Sequence, residues 1–131
     1  MNYQQEIHNL ILRTRAHPAL GIKHCYRVYY QAKELAQPLS LDDEILYAAA
    51  MLHDIGKYPE YALPNVDHAL RSKGVACNVL QKLEFPQHKL PKVLDAIEHH
   101  MYYSEPGRSD EAVYLRDANI LDNLGNIGLL R

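Results

Sequence analysis

The 131-residue sequence contains no tryptophan, one phenylalanine and two cysteines. Cys25 and Cys77 form no Cys-x-x-Cys pair, which argues against a thiolate zinc site or a disulfide scaffold, and we expect both to be buried, reduced thiols. No apolar run approaches the roughly eighteen residues that a membrane helix requires. The N-terminus lacks the basic and apolar regions of a signal peptide. These absences predict a cytoplasmic protein with no membrane partner.

The sequence also has no large excess of positive or negative charge. Fourteen basic and 16 acidic side chains give a formal net charge of -2, so we expect no basic surface for a nucleic acid polymer. The hydrophobic fraction of 47% is ordinary for a globular protein, and the length suits one domain with a substantial core. We therefore predict a single domain over residues 1–131.

Strand signals are absent too, because no segment alternates apolar and polar residues over a β-branched stretch. Apolar residues instead recur at helical spacing, which predicts an all-α bundle of about six helices. Ser40 and Asn65 are the expected N-caps of the third and fourth helices. The expected helices span about residues 2–15, 20–36, 41–54, 66–84, 87–102 and 109–126.

Histidine is abundant, with eight residues, and several lie near carboxylates. His53 and Asp54 follow one another at the end of the apolar third helix, just before Gly56 and Lys57. Imidazole and carboxylate side chains without thiolates favour a catalytic Mn, Fe, Co, Ni, Mg or Zn ion over a structural zinc. The further candidates, in chain order, are His24, His68, His99, His100, Asp117, Asn119 and Asp122.

This ordered set resembles the HD-domain superfamily of metal-dependent phosphohydrolases, and the resemblance covers roughly residues 20 to 131. It implies a compact helical HD-domain bundle in which His24, His53 and Asp54 are three of four ligands to a divalent ion. In longer relatives the segment at Asn126–Arg131 resembles the middle of the fold. We therefore expect C-terminal helices to be missing here, which leaves an apolar face that a homodimer could cover.

The fourth ligand departs from the family pattern, in which an aspartate follows alanine. Here Asn119 follows Ala118, so we expect Asn119 in the ligand position with weaker metal affinity. Asp117 is the alternative, although two residues on a helix differ by about 200°. Asp122 is expected to hold Lys57 or a ligand histidine in place.

The resemblance also assigns the remaining polar residues. His68, His99 and His100 match the extra histidines of two-metal members, so they would bind a second ion or contact phosphate. Asp54 and Lys57 are the expected catalytic residues. Arg27, Lys57 and Tyr102 are the expected substrate-binding residues, and for Arg27 a salt bridge to a carboxylate behind the metal ligands is the alternative.

The leading functional prediction is a metal-dependent phosphohydrolase that uses one or two ions and acts on a small phosphorylated molecule, first of all a nucleotide. Because Asn119 carries no charge, a catalytically weak or regulatory nucleotide-binding module is the alternative. An HD-type di-iron oxygenase ranks third, because Lys57 and the absence of a recognisable substrate motif argue against it.

Overall fold

The computed structural model describes residues 2–14 and 21–126. Within these ranges the chain forms six α-helices and no strand, so the all-α prediction is confirmed. The apolar C-terminal stretch, 127–131, lies outside the described residues. None of the described helices has the length and apolar character needed to cross a membrane. The helices are α1 (Tyr3–Arg13), α2 (Ile22–Ala36), α3 (Asp43–Leu52), α4 (His68–Lys82), α5 (Leu90–Glu98) and α6 (Asp110–Asn126), with a 3₁₀ turn at Ile55–Lys57.

Helix α3 is the centre of the core. Every residue from Ile45 to Leu52 is buried, and helices α1, α2, α5 and α6 all pack against it. A helix that is apolar on all sides is stable only when it is surrounded in this way. The small side chains of Ala48, Ala49 and Ala50 let the neighbouring helices approach closely. The C-terminal end of α3 therefore delivers the next two residues, His53 and Asp54, into the protein interior.

The helix boundaries correct three expectations. Asp42 caps α3 by accepting the backbone N–H of Ile45, and Asp67 caps α4 by accepting that of Leu70, so the caps predicted at Ser40 and Asn65 are two residues early. Asn65 instead has a φ of 63°, a left-handed turn conformation that asparagine tolerates. Helix α5 ends at Glu98, four residues before the predicted end, which places His99 and His100 after the helix.

The 3₁₀ turn lies directly against α4 at Gly56. The Gly56 N–H donates to Ser72 Oγ at 2.8 Å. A Cβ at Gly56 would lie 2.6 Å from the Ser72 nitrogen and 2.7 Å from the His68 carbonyl oxygen. Only glycine allows this approach, which brings the first turn of α4 close to Asp54. The two cysteines are free thiols, with Cys25 buried and Cys77 half-buried.

Candidate metal centre

Three buried side chains from two parts of the chain meet at one point. His24 Nε2 lies 3.3 Å from His53 Nε2 and 3.2 Å from Asp54 Oδ2. His53 Nε2 lies 3.3 Å from the same Asp54 oxygen. The exposed fractions of these residues are 1%, 0% and 2%. Three atoms that can all donate electron pairs therefore face one another in an almost fully buried site.

The opposite ring nitrogen determines what His53 presents to the cluster. His53 Nδ1 lies 2.6 Å from the carbonyl oxygen of Ala50, one of the carbonyls left without an intrahelical partner at the end of α3. A carbonyl oxygen only accepts, so Nδ1 carries the proton and Nε2 of the neutral ring presents a lone pair. His100 repeats the arrangement after α5, with Nδ1 2.6 Å from the Ile97 carbonyl oxygen.

Helix α6 adds a fourth ligand atom, which is an oxygen. Asn119 is 3% exposed, and its Oδ1 lies 3.3 Å from His53 Nε2, the position expected for it. Asp117 lies on the opposite, exposed face of α6, in a shallow groove with Leu35 and Tyr114. The alternative that Asp117 is a ligand is therefore corrected. Two residues along a helix turn the side chain by about 200°, away from the interior.

The donor set fits a divalent ion. It comprises two imidazole nitrogens, a carboxylate oxygen and an amide oxygen, and the measured separations between them are 3.2 to 3.3 Å. For ligand distances of about 2.0 to 2.2 Å, neighbouring ligand atoms lie roughly 3.0 to 3.5 Å apart. The set contains no thiolate, which suits a catalytic ion better than a structural zinc.

The charge balance favours a cation at this point. Burial alone would raise the pKa of Asp54, but His53, His100 and His24 together hold that pKa well below its usual value. Asp54 is therefore ionised. Burial lowers the pKa of His24, yet Asp54 and Asp122 outweigh it, so the His24 pKa is raised. In the absence of an ion, a proton on His24 takes over part of the positive charge that the carboxylates attract.

Two further histidines extend the cluster. His100 is fully buried, with Nε2 3.7 Å from Asp54 Oδ1, and its ring centroid is 4.9 Å from that of His53. Among the described residues, this Nε2 is a buried side-chain atom that has no hydrogen-bond partner. The His68 ring lies 6.1 Å from the His100 ring, and its Nε2 is 3.2 Å from Met101 Sδ. An unpaired buried nitrogen beside a carboxylate indicates that a ligand or ion completes the site.

His99 lies outside this cluster of histidines and carboxylates. Its Nε2 lies 3.4 Å from Glu98 Oε2 and 3.6 Å from Asp95 Oδ1, in a surface groove between α5 and the start of α6. The prediction that His99 serves a second ion or the phosphate is therefore corrected. Adjacent residues near a helix end differ by about 100°, so one ring of the pair enters the cluster and the other faces outward.

Two of the expected substrate residues, Lys57 and Tyr102, are accessible to solvent. Lys57 Nζ is 3.7 Å from Asp54 Oδ1, and its side chain is 30% exposed. Tyr102 is 70% exposed on the loop that follows His100, and its backbone carbonyl accepts from Arg116 at 2.8 Å. Lys57 therefore faces the cluster while remaining partly exposed, and Tyr102 is largely exposed to solvent.

Arg27 forms the salt bridge that was the alternative to its expected role in substrate binding. Its Nε and Nη2 donate to Asp122 at 2.8 and 3.1 Å, and Asp122 Oδ2 lies 2.6 Å from His24 Nδ1. Asp122 thus holds a ligand histidine, one of the two expected contacts, while Arg27 binds Asp122. This salt bridge to a carboxylate behind the ligands is the alternative role expected for Arg27, which lies three residues after His24 on the same helix.

The fold and site together define an all-helical protein with a buried histidine and carboxylate metal centre. The HD-domain profile matches residues 21–124, and the chain therefore belongs to the HD-domain family. It is similar to a predicted HD superfamily hydrolase from an uncultured Thermotogales bacterium, whose crystal structure superposes with a TM-score of 0.76. The two are 32% identical, and the match covers 97% of this chain and 72% of that chain.

A curated relative is Ribonuclease Y of Symbiobacterium thermophilum, which is 32% identical over 114 residues. The match covers 85% of this chain and 20% of the ribonuclease. The chain therefore spans one fifth of the length of that relative, and the likeness concerns the HD domain.

Proposed function

We propose that the protein is a metal-dependent phosphohydrolase that acts on a small phosphorylated molecule, with nucleotides as the first class to test. The observation that carries this proposal is the convergence of His24, His53, Asp54 and Asn119 on one point beside the unpaired nitrogen of His100. A divalent ion bound there would supply Lewis-acid activation of a phosphoryl oxygen and of water.

The side chains around the centre provide the remaining chemistry. Lys57, half-exposed beside Asp54, offers an ammonium group to phosphate oxygens. Burial, together with the nearby charge of Lys57, lowers the pKa of His68. The His68 ring is therefore neutral near pH 7, and its Nε2 can accept a proton from the attacking water. These two residues give the anionic substrate a cationic contact and a base on the same side of the centre.

A tyrosine pair supports a nucleotide as the substrate. Tyr103 donates to Asp67, the residue before His68, at 3.0 Å, and Arg116 holds the Tyr102 carbonyl. The two rings are 57% and 70% exposed although their loop is anchored on both sides. An exposed, fixed aromatic surface next to a phosphate site suits a nucleobase, which can stack on it. The formal net charge of -2 favours a small substrate over a polymer.

A second candidate function is a nucleotide-binding module with little turnover. The specific observation is Asn119, which places a neutral amide oxygen where a carboxylate would bind a divalent ion more strongly. In that case the ion and the nucleotide would bind, but hydrolysis would be slow.

Metal analysis followed by a phosphate-release screen tests both candidates. The protein is purified without an affinity tag, analysed for Mn, Fe, Co, Ni, Mg and Zn, and reloaded with each ion separately. The screen covers nucleoside monophosphates, dinucleoside polyphosphates, p-nitrophenyl phosphate and a short RNA. The RNA is included because the curated relative is a ribonuclease. We expect metal-dependent release from at least one mononucleotide or dinucleotide.

Two variants make the result specific. His53→Ala removes a ring from the cluster and should abolish release, whereas His99→Ala removes the neighbouring groove histidine and should retain it. Release that persists in His53→Ala would refute the hydrolase proposal. Metal and nucleotide binding without release would favour the second candidate, and a preference for the RNA would replace the small substrate by a polymer.

A further inference from the structure

We propose that Asp122 is a positioning residue that fixes the tautomer and direction of the His24 ring, and that Arg27 fixes Asp122 in turn. This inference rests on the metal binding proposed above and extends it to residues outside the ligand set. The three side chains form a closed chain of contacts between α2 and α6, with His24 and Arg27 on one helix and Asp122 on the other.

The first argument compares the three histidines of the cluster. His53 and His100 each place Nδ1 on a carbonyl oxygen three residues earlier, so their orientation follows from local backbone geometry. His24 lies in the first turn of α2, and the carbonyl three residues earlier, that of Gly21, accepts the Cys25 N–H instead. Its Nδ1 partner is a side-chain oxygen of Asp122, 98 residues away. The direction of this ring therefore depends on a tertiary contact that a single substitution can remove.

The second argument concerns charge. Arg27 donates to both oxygens of Asp122, the pairing typical of an ionised carboxylate. The ionised carboxylate can only accept hydrogen bonds, so the neutral His24 ring must carry its proton on Nδ1. Its Nε2 then presents a lone pair toward Asp54 and His53, as metal ligation requires. An amide at position 122 would keep the shape but could donate as well as accept, which removes this constraint.

The third argument concerns Arg27. Its guanidinium uses Nε and Nη2 on the two oxygens of Asp122, at 2.8 and 3.1 Å, and this fork holds the carboxylate plane in one orientation. Asn119 lies one helical turn before Asp122 on α6. The same helix therefore supplies an oxygen to the cluster and the group that orients His24, so a shift of α6 would affect both.

Asp122→Asn is the decisive variant, and two measurements on it test the proposal. Visible absorption during Co²⁺ titration measures affinity, which we expect to fall about 10- to 100-fold, the usual effect of losing an outer hydrogen-bond partner of a ligand histidine. Nitrogen-15 NMR of the metal-free protein, at a pH above the histidine range, reports the ring tautomer. The wild type should show His24 protonated on Nδ1, and Asp122→Asn should show a mixture of tautomers.

Further variants separate positioning from general stability. Arg27→Gln should weaken Co²⁺ binding in the same direction but less, and Arg27→Lys should restore part of the loss. Asp117→Asn changes an exposed carboxylate on the same helix and should leave both readouts at wild-type values. Far-UV circular dichroism and thermal unfolding accompany each variant. If Asp122→Asn does not fold, the Arg27 series and its tautomer spectra decide.

Unchanged affinity and tautomer in a folded Asp122→Asn would overturn the proposal. An Arg27→Gln variant with wild-type Co²⁺ affinity and a raised KM would overturn the role of Arg27 and return it to substrate binding. If the wild type binds no Co²⁺, the proposed function fails. The tautomer comparison in metal-free protein still decides whether Asp122 positions His24.

Discussion

At the scale of single residues, the centre depends on His53 and Asp54, which no other described side chain can replace in position. His53→Ala or Asp54→Ala should reduce bound metal to background, because each removes an atom that makes two of the three close contacts among His24, His53 and Asp54. Helicity should be largely retained, since the core around α3 is apolar. Elemental analysis measures the bound metal, and far-UV circular dichroism measures the helicity. Full metal occupancy in either variant would exclude that residue as a ligand.

Asn119→Asp should raise the affinity for Mn²⁺ or Ni²⁺ by adding a charged oxygen next to His53. Without metal the same variant should be less stable by roughly 1 to 3 kcal/mol, because a second buried carboxylate beside Asp54 lacks a partner. Calorimetric titration and urea unfolding measure the two effects. Asp117→Asn is the matched control on the exposed face of α6. Equal affinities for wild type and Asn119→Asp would place Asn119 outside the ligand set.

His100→Ala and His99→Ala should differ sharply although the residues are adjacent. His100 faces Asp54 from a fully buried position, so its loss should lower turnover by about 10- to 100-fold while the first ion remains bound. His99 contacts Glu98 and Asp95 outside the centre, so its loss should leave turnover unchanged. Steady-state kinetics with parallel metal analysis checks this. Equal effects of the two substitutions would contradict the assignment.

These residues also show how much of the candidate site could be predicted from the sequence. The order of histidines and carboxylates in the sequence led to His24, His53, Asp54, His100 and Asn119, which the structure brings into one cluster, while their roles as ligands stay a prediction. It could not choose between adjacent residues, since one step on a helix is about 100° and the choice depends on where the helix ends.

At the scale of secondary-structure elements, the contact between the 3₁₀ turn and α4 leaves no room for a side chain at Gly56. Gly56→Ala should destabilise the protein by about 1 to 3 kcal/mol, because the new methyl group would overlap backbone atoms of Ser72 and His68. It should also weaken metal binding by displacing the turn that follows Asp54. Chemical unfolding and Co²⁺ titration measure both. Gly74→Ala, at a helical glycine with open space, is the control and should be neutral or stabilising.

The elements were predictable in number and type, but their ends were less so. The helical periodicity identified all six helices, whereas the caps of α3 and α4 were placed two residues early. Ser40 and Asn65 are good capping residues in isolation. Asp42 and Asp67 prevail because their carboxylates also take part in tertiary contacts, with Lys89 and Tyr103 respectively. Such contacts are set by packing, which a local pattern does not contain.

At the scale of the whole molecule, the centre joins α2, the end of α3 and α6, so a bound ion stabilises only the folded chain. Metal at 100 times Kd should add about 2.7 kcal/mol to the free energy of unfolding, which raises the Tm by several degrees. Differential scanning calorimetry with and without Mn²⁺ measures the increment. His53→Ala should show none, and an equal increment there would locate the ion elsewhere.

This increment should shrink as the pH falls, because His24 must lose its proton to ligate. Asp54 and Asp122 raise the His24 pKa above 6.5, so protons compete from higher pH than for an ordinary histidine. In metal-free protein the contribution of His24 to stability depends on pH in the opposite direction. The contribution of His24 to stability is fully present below the pKa of the unfolded chain and is lost as the pH rises through the folded-state pKa. Calorimetry from pH 5 to pH 8 tests both, and a constant increment would contradict the first.

The helix-end histidines have a consequence for how this protein can vary. Because His53 and His100 take their direction from main-chain carbonyls, a change of side chain at position 50 or 97 leaves the hydrogen-bond acceptor in place. Natural sequence variation or a mutagenesis library can therefore change the side chains around these two rings without changing the direction of the rings. Position 122 has no such protection, since its acceptor is the side chain itself. Saturation mutagenesis scored by metal retention should find broad tolerance among small residues at 50 and apolar residues at 97, and near-intolerance at 122.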